Sequence, residues 1–309
     1  MTATGAEPGI IEPPAGAIPY LRMPKRTLFE TRAMRLAALA GGHALGDYLR
    51  FVAALACAQH AALARMHAVP LPDAAQLARC REHGLPPLGV QGWTRDPSWR
   101  AALRHILAVL ETQTMPMPEA ARATIMRLRE LDDAGLEGMA GEVLGGGHPP
   151  HLDHAAAPFV AAALQVYWTH MAAGLGACSI GRLRTPGLCP VCGSPPVSSI
   201  VRVGAAEHRL RYLSCSLCSA EWHVVRIKCA FCETTKGISY YGIEGGNGMV
   251  KAEHCDACKS YLKILYVEKD PDADVVADDI ASLGLDILMA ESDVGRRGGV
   301  NFFLLGGNA

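Results

Sequence analysis

The chain contains no GxGxxG turn, Walker phosphate loop, GxSxG elbow or HExxH pair anywhere in its 309 residues. No serine, histidine and carboxylate can be grouped into a catalytic set either. Nucleotide-dependent, serine-hydrolase and zinc-protease chemistries therefore lack their residues, and no enzymatic activity is expected. Charge is also sparse. Asp, Glu, Lys and Arg make up 19% of the chain and the formal net charge is −1, so no overall pull toward nucleic acid or an anionic membrane is expected. Aromatic residues stand at 6% while alanine is abundant, which favours closely packed helices over a core of large rings. The opening stretch, MTATGAEPGIIEPPAGAIP, has neither a basic start nor an apolar run, so a secretory signal is not expected. Arg296-Arg297 lies too near the C-terminus to be a twin-arginine signal.

One run, residues 155–178, carries no formally charged side chain and is long enough to span a bilayer. Pro158, Gln165 and His170 interrupt it and its alanines are weakly apolar, so it reads as a buried central helix.

Cysteine is what the chain has in quantity. CPVC (189–192), CSLC (215–218), CAFC (229–232) and CDAC (255–258) are separated by 22, 10 and 22 residues. Each cysteine of the first two pairs recurs 40 residues on, and the repeat extends into the sequence between them. SSIVRV (198–203) answers to GISYYGI (237–243), RLRYLSC (209–215) to MVKAEHC (249–255) and EWHVVRIK (221–228) to YLKILYVE (261–268). Each unit reads knuckle, strand, turn, strand, knuckle, strand, with GGNG (245–248) supplying the second copy's turn.

Two residues between cysteines let one tight turn aim both sulfurs at one ion, and a hairpin brings a second knuckle opposite. Sulfur selects zinc or iron over magnesium or calcium without separating the two. Residues 219–228 alternate like a strand that would extend over roughly 30 Å, too far for the knuckles at its two ends to share an ion easily. The favoured pairing is Cys189 and Cys192 with Cys215 and Cys218, and Cys229 and Cys232 with Cys255 and Cys258. A swap of first with third and second with fourth stays open. Disulfides fit less well without a secretory signal, and a redox CxxC is normally single and beside a βαβ pattern.

Length allows two or three domains. Residues 1–20 read as a flexible, Pro/Gly-punctuated tail and 21–185 as an all-helical domain. Its predicted helices are Thr31–Ala40, Gly46–His67, Ala74–Glu82 capped by Asp73, Trp99–Glu111, Pro118–Leu131 and the central helix at 155–175. Two metal ribbons follow at 186–228 and 229–268. Residues 269–309 hold a helix, with Val276, Ile280, Leu283 and Ile287 on one face, and a tail. The fold class is thus α+β: an N-terminal all-α domain, two tandem zinc-ribbon-like β units and a C-terminal helix expected to cover their apolar faces.

Other candidates are weaker. His148, His151 and His154 with Asp153 in HPPHLDH form a conceivable metal site, but they read better as a polar loop. Cys57 and Cys80 read as small buried helix residues, and Cys178 as a thiol nearer the first knuckle. Arg22, Lys25 and Arg26, and Asp47, Tyr48 and Arg50, suit either a solvated surface or a partner surface.

With these residues in view, the chain resembles the formate dehydrogenase accessory protein family, FdhE. The resemblance rests on the four knuckles, on LGDYLRFVAALACAQ (45–59), on IPYLRMPKRTLFETRAMRLAAL (18–39) and on GGVNFFLL near the end, and it spans nearly the whole chain. It implies a cytoplasmic protein with rubredoxin-like knuckles that binds iron. It also implies contact with the catalytic subunit of a molybdenum-dependent, periplasm-facing formate dehydrogenase before export. The ligand role then falls on the eight cysteines above. CPVCG has the glycine that commonly follows a rubredoxin knuckle, whereas Ser219, Glu233 and Lys259 stand in that place after the other three. That departure puts iron redox chemistry in question more than metal binding.

Three functions compete: a maturation factor gripping a formate dehydrogenase subunit, a rubredoxin-like electron carrier that activates a partner, and a zinc-ribbon nucleic-acid binder. Charge disfavours the last. Residues 189–268 hold nine basic and seven acidic side chains, and eight thiolates with two divalent ions turn that surplus into about −2.

Overall fold

The computed structural model describes residues 18–113, 117–145, 152–203, 209–292 and 294–304. Most of the expected tail, and His148 and His151 of the histidine-rich loop, lie outside them. Seven helices come first: α1 (Leu28–Leu39), α2 (Gly46–Ala64), α3 (Ala74–His83), α4 (Ser98–Thr112), α5 (Glu119–Glu130), α6 (Asp133–Leu144) and α7 (Ala157–Gly174). Their ends follow local chemistry. Asp73 caps α3 in a reciprocal box with Gln76, and Gly84 at φ 64° closes it. Asp132 caps α6 by accepting from the Gly135 N–H at 2.8 Å.

Helix α7 is the axis of this part, packed against α2, α4 and α6. Fourteen of its 18 residues are buried, which explains a helix without charged side chains. Among the described residues no helix is long and apolar enough to cross a membrane. The stripe of Leu103, Ile106, Leu107 and Leu110 on α4 is buried as its spacing predicts.

Among the described residues the cysteine-rich half and a short strand ahead of α1 form one sheet of eight strands. β1 (Leu21–Arg22) leads, followed by β2 (Pro196–Arg202), β3 (Leu210–Cys215), β4 (Glu221–Val224), β5 (Ile238–Tyr241), β6 (Val250–Cys255), β7 (Ser260–Tyr266) and β8 (Arg296–Arg297). Their order is β1-β4-β3-β2-β7-β6-β5, with β8 beside β7. Each repeat is a three-stranded antiparallel ribbon, and the two join through β2 and β7, which run parallel with Ile200 opposite Leu265.

Three expectations change. Leu21 and Arg22, assigned to the helical domain, pair with Trp222 and Glu221 and so cover an edge of the sheet that β4 would otherwise leave open. The ten-residue strand 219–228 shrinks to the four residues of β4, because a Lys228 N–H to Val225 carbonyl turn redirects the chain into Cys229. The single last helix is two, α8 (Ala277–Ala281) and α9 (Leu283–Glu291), broken at Ser282. The break re-phases the apolar face. Val276 and Ile280 are buried, but Ile287 is 46% exposed, and Leu285 and Met289 pack with Ala252 and Tyr261 of the sheet instead.

Candidate metal centres

The knuckles sit at strand ends. The first, Cys189–Cys192, precedes β2, and the second, Cys215–Cys218, closes β3. Cys229–Cys232 precedes β5, and Cys255–Cys258 closes β6. Sulfurs of Cys189, Cys192, Cys215 and Cys218 gather in one cluster, those of Cys229, Cys232, Cys255 and Cys258 in another, each within 4.8 Å of one another. Cross-knuckle sulfur separations are 3.6 Å (Cys189–Cys218) and 3.4 Å (Cys192–Cys215) in the first cluster. In the second they are 3.7 Å (Cys229–Cys258) and 3.6 Å (Cys232–Cys255). A disulfide would need about 2 Å. A tetrahedral four-sulfur site with bonds near 2.3 Å has edges of about 3.8 Å, so these sulfurs suit a soft cation at the centre of each cluster.

Backbone geometry supports the same reading. The N–H groups of Leu217 and Cys218 point at the Cys215 sulfur, both at 3.4 Å, and that of Phe231 at the Cys229 sulfur, also at 3.4 Å. Each knuckle is followed by a residue in the left-handed region: Gly193 at φ 76°, Ser219 at 58°, Glu233 at 62° and Lys259 at 53°. The missing glycines therefore do not change the turn; three ordinary side chains adopt the conformation glycine would. That conformation costs an L-residue about 1 kcal/mol. Lys259 is exposed, and among the described residues its charge meets Asp256 at 4.0 Å. Lys259→Gly is accordingly expected to raise stability by about 1 kcal/mol, read as a higher urea midpoint at unchanged slope.

Electrostatics differ between sulfurs of one cluster. Burial pushes the Cys189 and Cys218 thiols well above their ordinary value. Burial acts on Cys192 in the same sense, but hydrogen bonds from Cys189, Cys215, Cys218 and Ser194 outweigh it and leave Cys192 well below. In the second cluster burial pushes Cys229 up to about 12. Cys258 stands at about 7, because the Ser260 hydroxyl at 2.9 Å and the other three sulfurs outweigh its burial. Each cluster thus holds one sulfur that readily carries the negative charge a cation needs.

The helical part builds the surroundings of the first cluster. The loop at 84–93 lies along the first knuckle, with Leu88 N–H donating to the Val191 carbonyl and Val90 N–H to that of Cys192, each at 2.9 Å. Trp168 of α7 fixes that loop by donating to the Leu88 carbonyl at 3.0 Å. Gln165, one turn earlier, donates to the Ser216 carbonyl inside the second knuckle at 2.8 Å and accepts from Gln59 of α2 at 2.9 Å. Sequence reasoning identifies Gln165 only as an interruption of an apolar run. The available signal is its isolation among alanines, since a polar group buried on a central helix must find a partner. Gln165→Leu is expected to cost about 1–3 kcal/mol by leaving the Ser216 carbonyl unpaired and the Gln59 amide with the Ala162 carbonyl at 3.0 Å in place of two acceptors. Urea unfolding at matched metal content reads it.

The remaining candidates separate. Cys57 lies exposed on the outer face of α2 and Cys80 is half-buried, contrary to the expectation that both are core residues. Cys178 is exposed. His154 is exposed, while Asp153 caps the approach to α7 through the N–H groups of Ala155 and Ala156. Arg22 pairs with Glu221 at the sheet edge, and Lys25 and Arg26 are exposed. Asp47 and Arg50 form a surface pair. Tyr48 turns inward and donates to the Phe303 carbonyl, burial raising its hydroxyl to about 12.

Comparison with known proteins agrees along the chain. Family models for FdhE match in three parts: the N-terminal part at residues 18–184, the central domain at 188–226 and the C-terminal domain at 227–304. A protein FdhE homolog of Pseudomonas aeruginosa is 41% identical over 302 residues, covering 96% of both chains. Protein FdhE of Salmonella arizonae is 41% identical over 297 residues, covering 95% of this chain and 93% of its own. The crystal structure of the FdhE protein from Pseudomonas aeruginosa superposes with a TM-score of 0.83 at 41% identity, over 93% of this chain and 99% of the other. With the knuckles, the helical part and the C-terminal helices all matched, the chain belongs to the FdhE family.

Proposed function

We propose that the chain is an accessory protein of formate dehydrogenase, a cytoplasmic factor that binds the molybdenum-dependent catalytic subunit and assists its assembly or activation before export. Two four-cysteine clusters set in one sheet against a helical domain, in a chain that belongs to the FdhE family, carry this reading. Cys189, Cys192, Cys215 and Cys218 hold one ion in it, and Cys229, Cys232, Cys255 and Cys258 the other. Iron is favoured by the resemblance, and zinc satisfies the same sulfurs.

The accessory role is tested by co-purification with a formate dehydrogenase catalytic subunit under reducing conditions. Stable association is the expected result, and reproducible failure to associate removes the reading. An electron-carrier reading is favoured by one observation, the exposure of Cys232 at the second cluster. Protein prepared without oxygen and then aired develops sulfur-to-iron absorption bands if that reading holds. Colourless protein with two zinc ions removes it and leaves the interaction role standing. For the second cluster itself, Cys229→Ser with Cys232→Ser is expected to halve the metal content, and an unchanged content removes that assignment.

A further inference from the structure

The two clusters come from one sequence repeat, yet their surroundings are unlike. Cys189, Cys192 and Cys218 have no exposed surface and Cys215 has 2%. The backbone of the loop at Leu88–Val90 and the side chain of Gln165 of α7 hold their two knuckles by hydrogen bonds to knuckle carbonyls. In the second cluster Cys229 and Cys255 are buried, but Cys232 is exposed and Cys258 half-exposed. Two sets of four cysteines with similar sulfur separations are therefore sealed in one case and reach solvent at Cys232 and Cys258 in the other.

We infer that the second centre is an exchange site: it yields its soft cation to, and takes it from, an external thiolate donor without unfolding, while the first centre is fixed. The inference rests on the metal-binding reading above. Exchange at a thiolate site begins when an incoming sulfur adds to the ion as a protein sulfur leaves. Cys232 is the exposed residue of the four, so it is the one an incoming thiolate would displace, and Cys229, Cys255 and Cys258 would then hold the ion. One thiolate takes the place of another, no electron moves, and the ion keeps its charge throughout. At the first centre no sulfur is reachable from the native state, so exchange must wait for the 84–93 loop or the β3 end to open. Such opening is a minor population in a packed region. Ser260 tunes the open centre. Its hydroxyl lies 2.9 Å from the Cys258 sulfur and steadies the thiolate there, so it slows loss of the last bonds.

The test uses full-length protein loaded with two zinc ions, an excess of a chromophoric chelator, and iodoacetamide labelling mapped by peptide mass. One zinc is expected to leave at least about 10-fold faster than the other, as opening equilibria of packed regions require. Label should appear on Cys232 and Cys258 with the fast phase while Cys189, Cys192, Cys215 and Cys218 stay unlabelled. Peptide mapping keeps the exposed Cys57 and Cys178 apart from these. Two ions leaving in a single phase, or label reaching the first cluster first, overturns the inference and leaves the metal reading intact. A starting content of one ion or none overturns both. Ser260→Ala is expected to speed the fast phase about 10-fold or more, as loss of one hydrogen bond to a charged sulfur implies, with the slow phase unmoved. Equal acceleration of both phases overturns the inference.

Discussion

Replacing Cys189 and Cys192 together with serine is expected to abolish the cooperative unfolding transition of the chain, whereas the same change at Cys229 and Cys232 lowers its midpoint and leaves it cooperative. A structural Cys-rich site contributes an apparent free energy of about 10–16 kcal/mol at neutral pH. A whole domain has a net stability of about 5–15 kcal/mol, so loss of such a site can remove the folded state outright. The first cluster is where that loss spreads. Val191 and Cys192 supply carbonyls to the 84–93 loop, Ser216 supplies one to Gln165, and that loop and α7 belong to the helical core. In the Cys189 and Cys192 variant the proposed ion has lost two of its four sulfurs, two buried thiols and two buried hydroxyls remain at the meeting point of sheet and helices, and the hydrogen bonds on both sides lose their anchor. The second cluster lies at the β5–β6 end of the sheet order, away from the helical contacts of the first, with Cys232 exposed. Its loss frees β5 and β6 first. Far-UV circular dichroism under urea, with metal analysis of each variant, separates the outcomes. Equal loss of helical signal in both double variants would contradict this assignment of weight.

Much of this is legible in the sequence, for an identifiable reason. A CxxC turn is local, so the number of knuckles, their repeat and the strands between them are written in neighbouring residues. Capping by Asp73 and the buried stripe of α4 are local in the same sense. What stays hidden depends on residues far apart in the chain. The parallel register of β2 on β7 fuses two ribbons into one sheet through residues about 65 apart, and no turn chemistry announces it. Exposure of Cys232 against burial of Cys192 cannot follow from spacing, because both hold the fourth place of an identical motif. It follows from which copy the 84–93 loop happens to cover. Ser219, Glu233 and Lys259 depart from the rubredoxin turn in residue type, but the amide-to-sulfur hydrogen bonds and closing carbonyl contacts hold them in the left-handed region regardless. The expected burial of Ile287 fails for a smaller reason: helical phase does not carry across Ser282, where the backbone leaves the helix at φ −99° and ψ 26°.

The buried charges that tie the second ribbon to the C-terminal helices are equally invisible in the sequence, and they support a strong expectation. Lys263 of β7 has a side chain 1% exposed, and its ammonium donates to the carbonyls of Asp279 at 2.9 Å and Ser282 at 3.0 Å. It meets the carboxylates of Asp279 at 3.4 Å and of Asp286. Arg297 closes the set, 2.6 Å from Asp279 and 2.9 Å from Asp286, so two cations face two carboxylates. Burial alone would raise the Asp279 carboxyl, but Lys263, Arg297 and the Asn301 amide outweigh it and hold the group below the usual carboxylate range. A lowered carboxyl stabilises the fold above its unfolded-state value, and that contribution is lost as pH falls through the folded-state value. Lys263→Met leaves one cation for two buried carboxylates and is expected to cost about 3–5 kcal/mol at pH 7. One of those carboxyls must then bind a proton more readily than in the wild type, so the deficit should narrow as pH is lowered toward 5. Urea unfolding of both proteins at each pH, taken as a difference so that any acid release of metal enters both, measures it. Lys263→Met combined with Asp286→Leu should recover part of the loss, because the remaining Arg297–Asp279 pair is again balanced. A deficit at pH 7 below about 1 kcal/mol, or one that widens on acidification, would show that these charges are better solvated than their burial indicates.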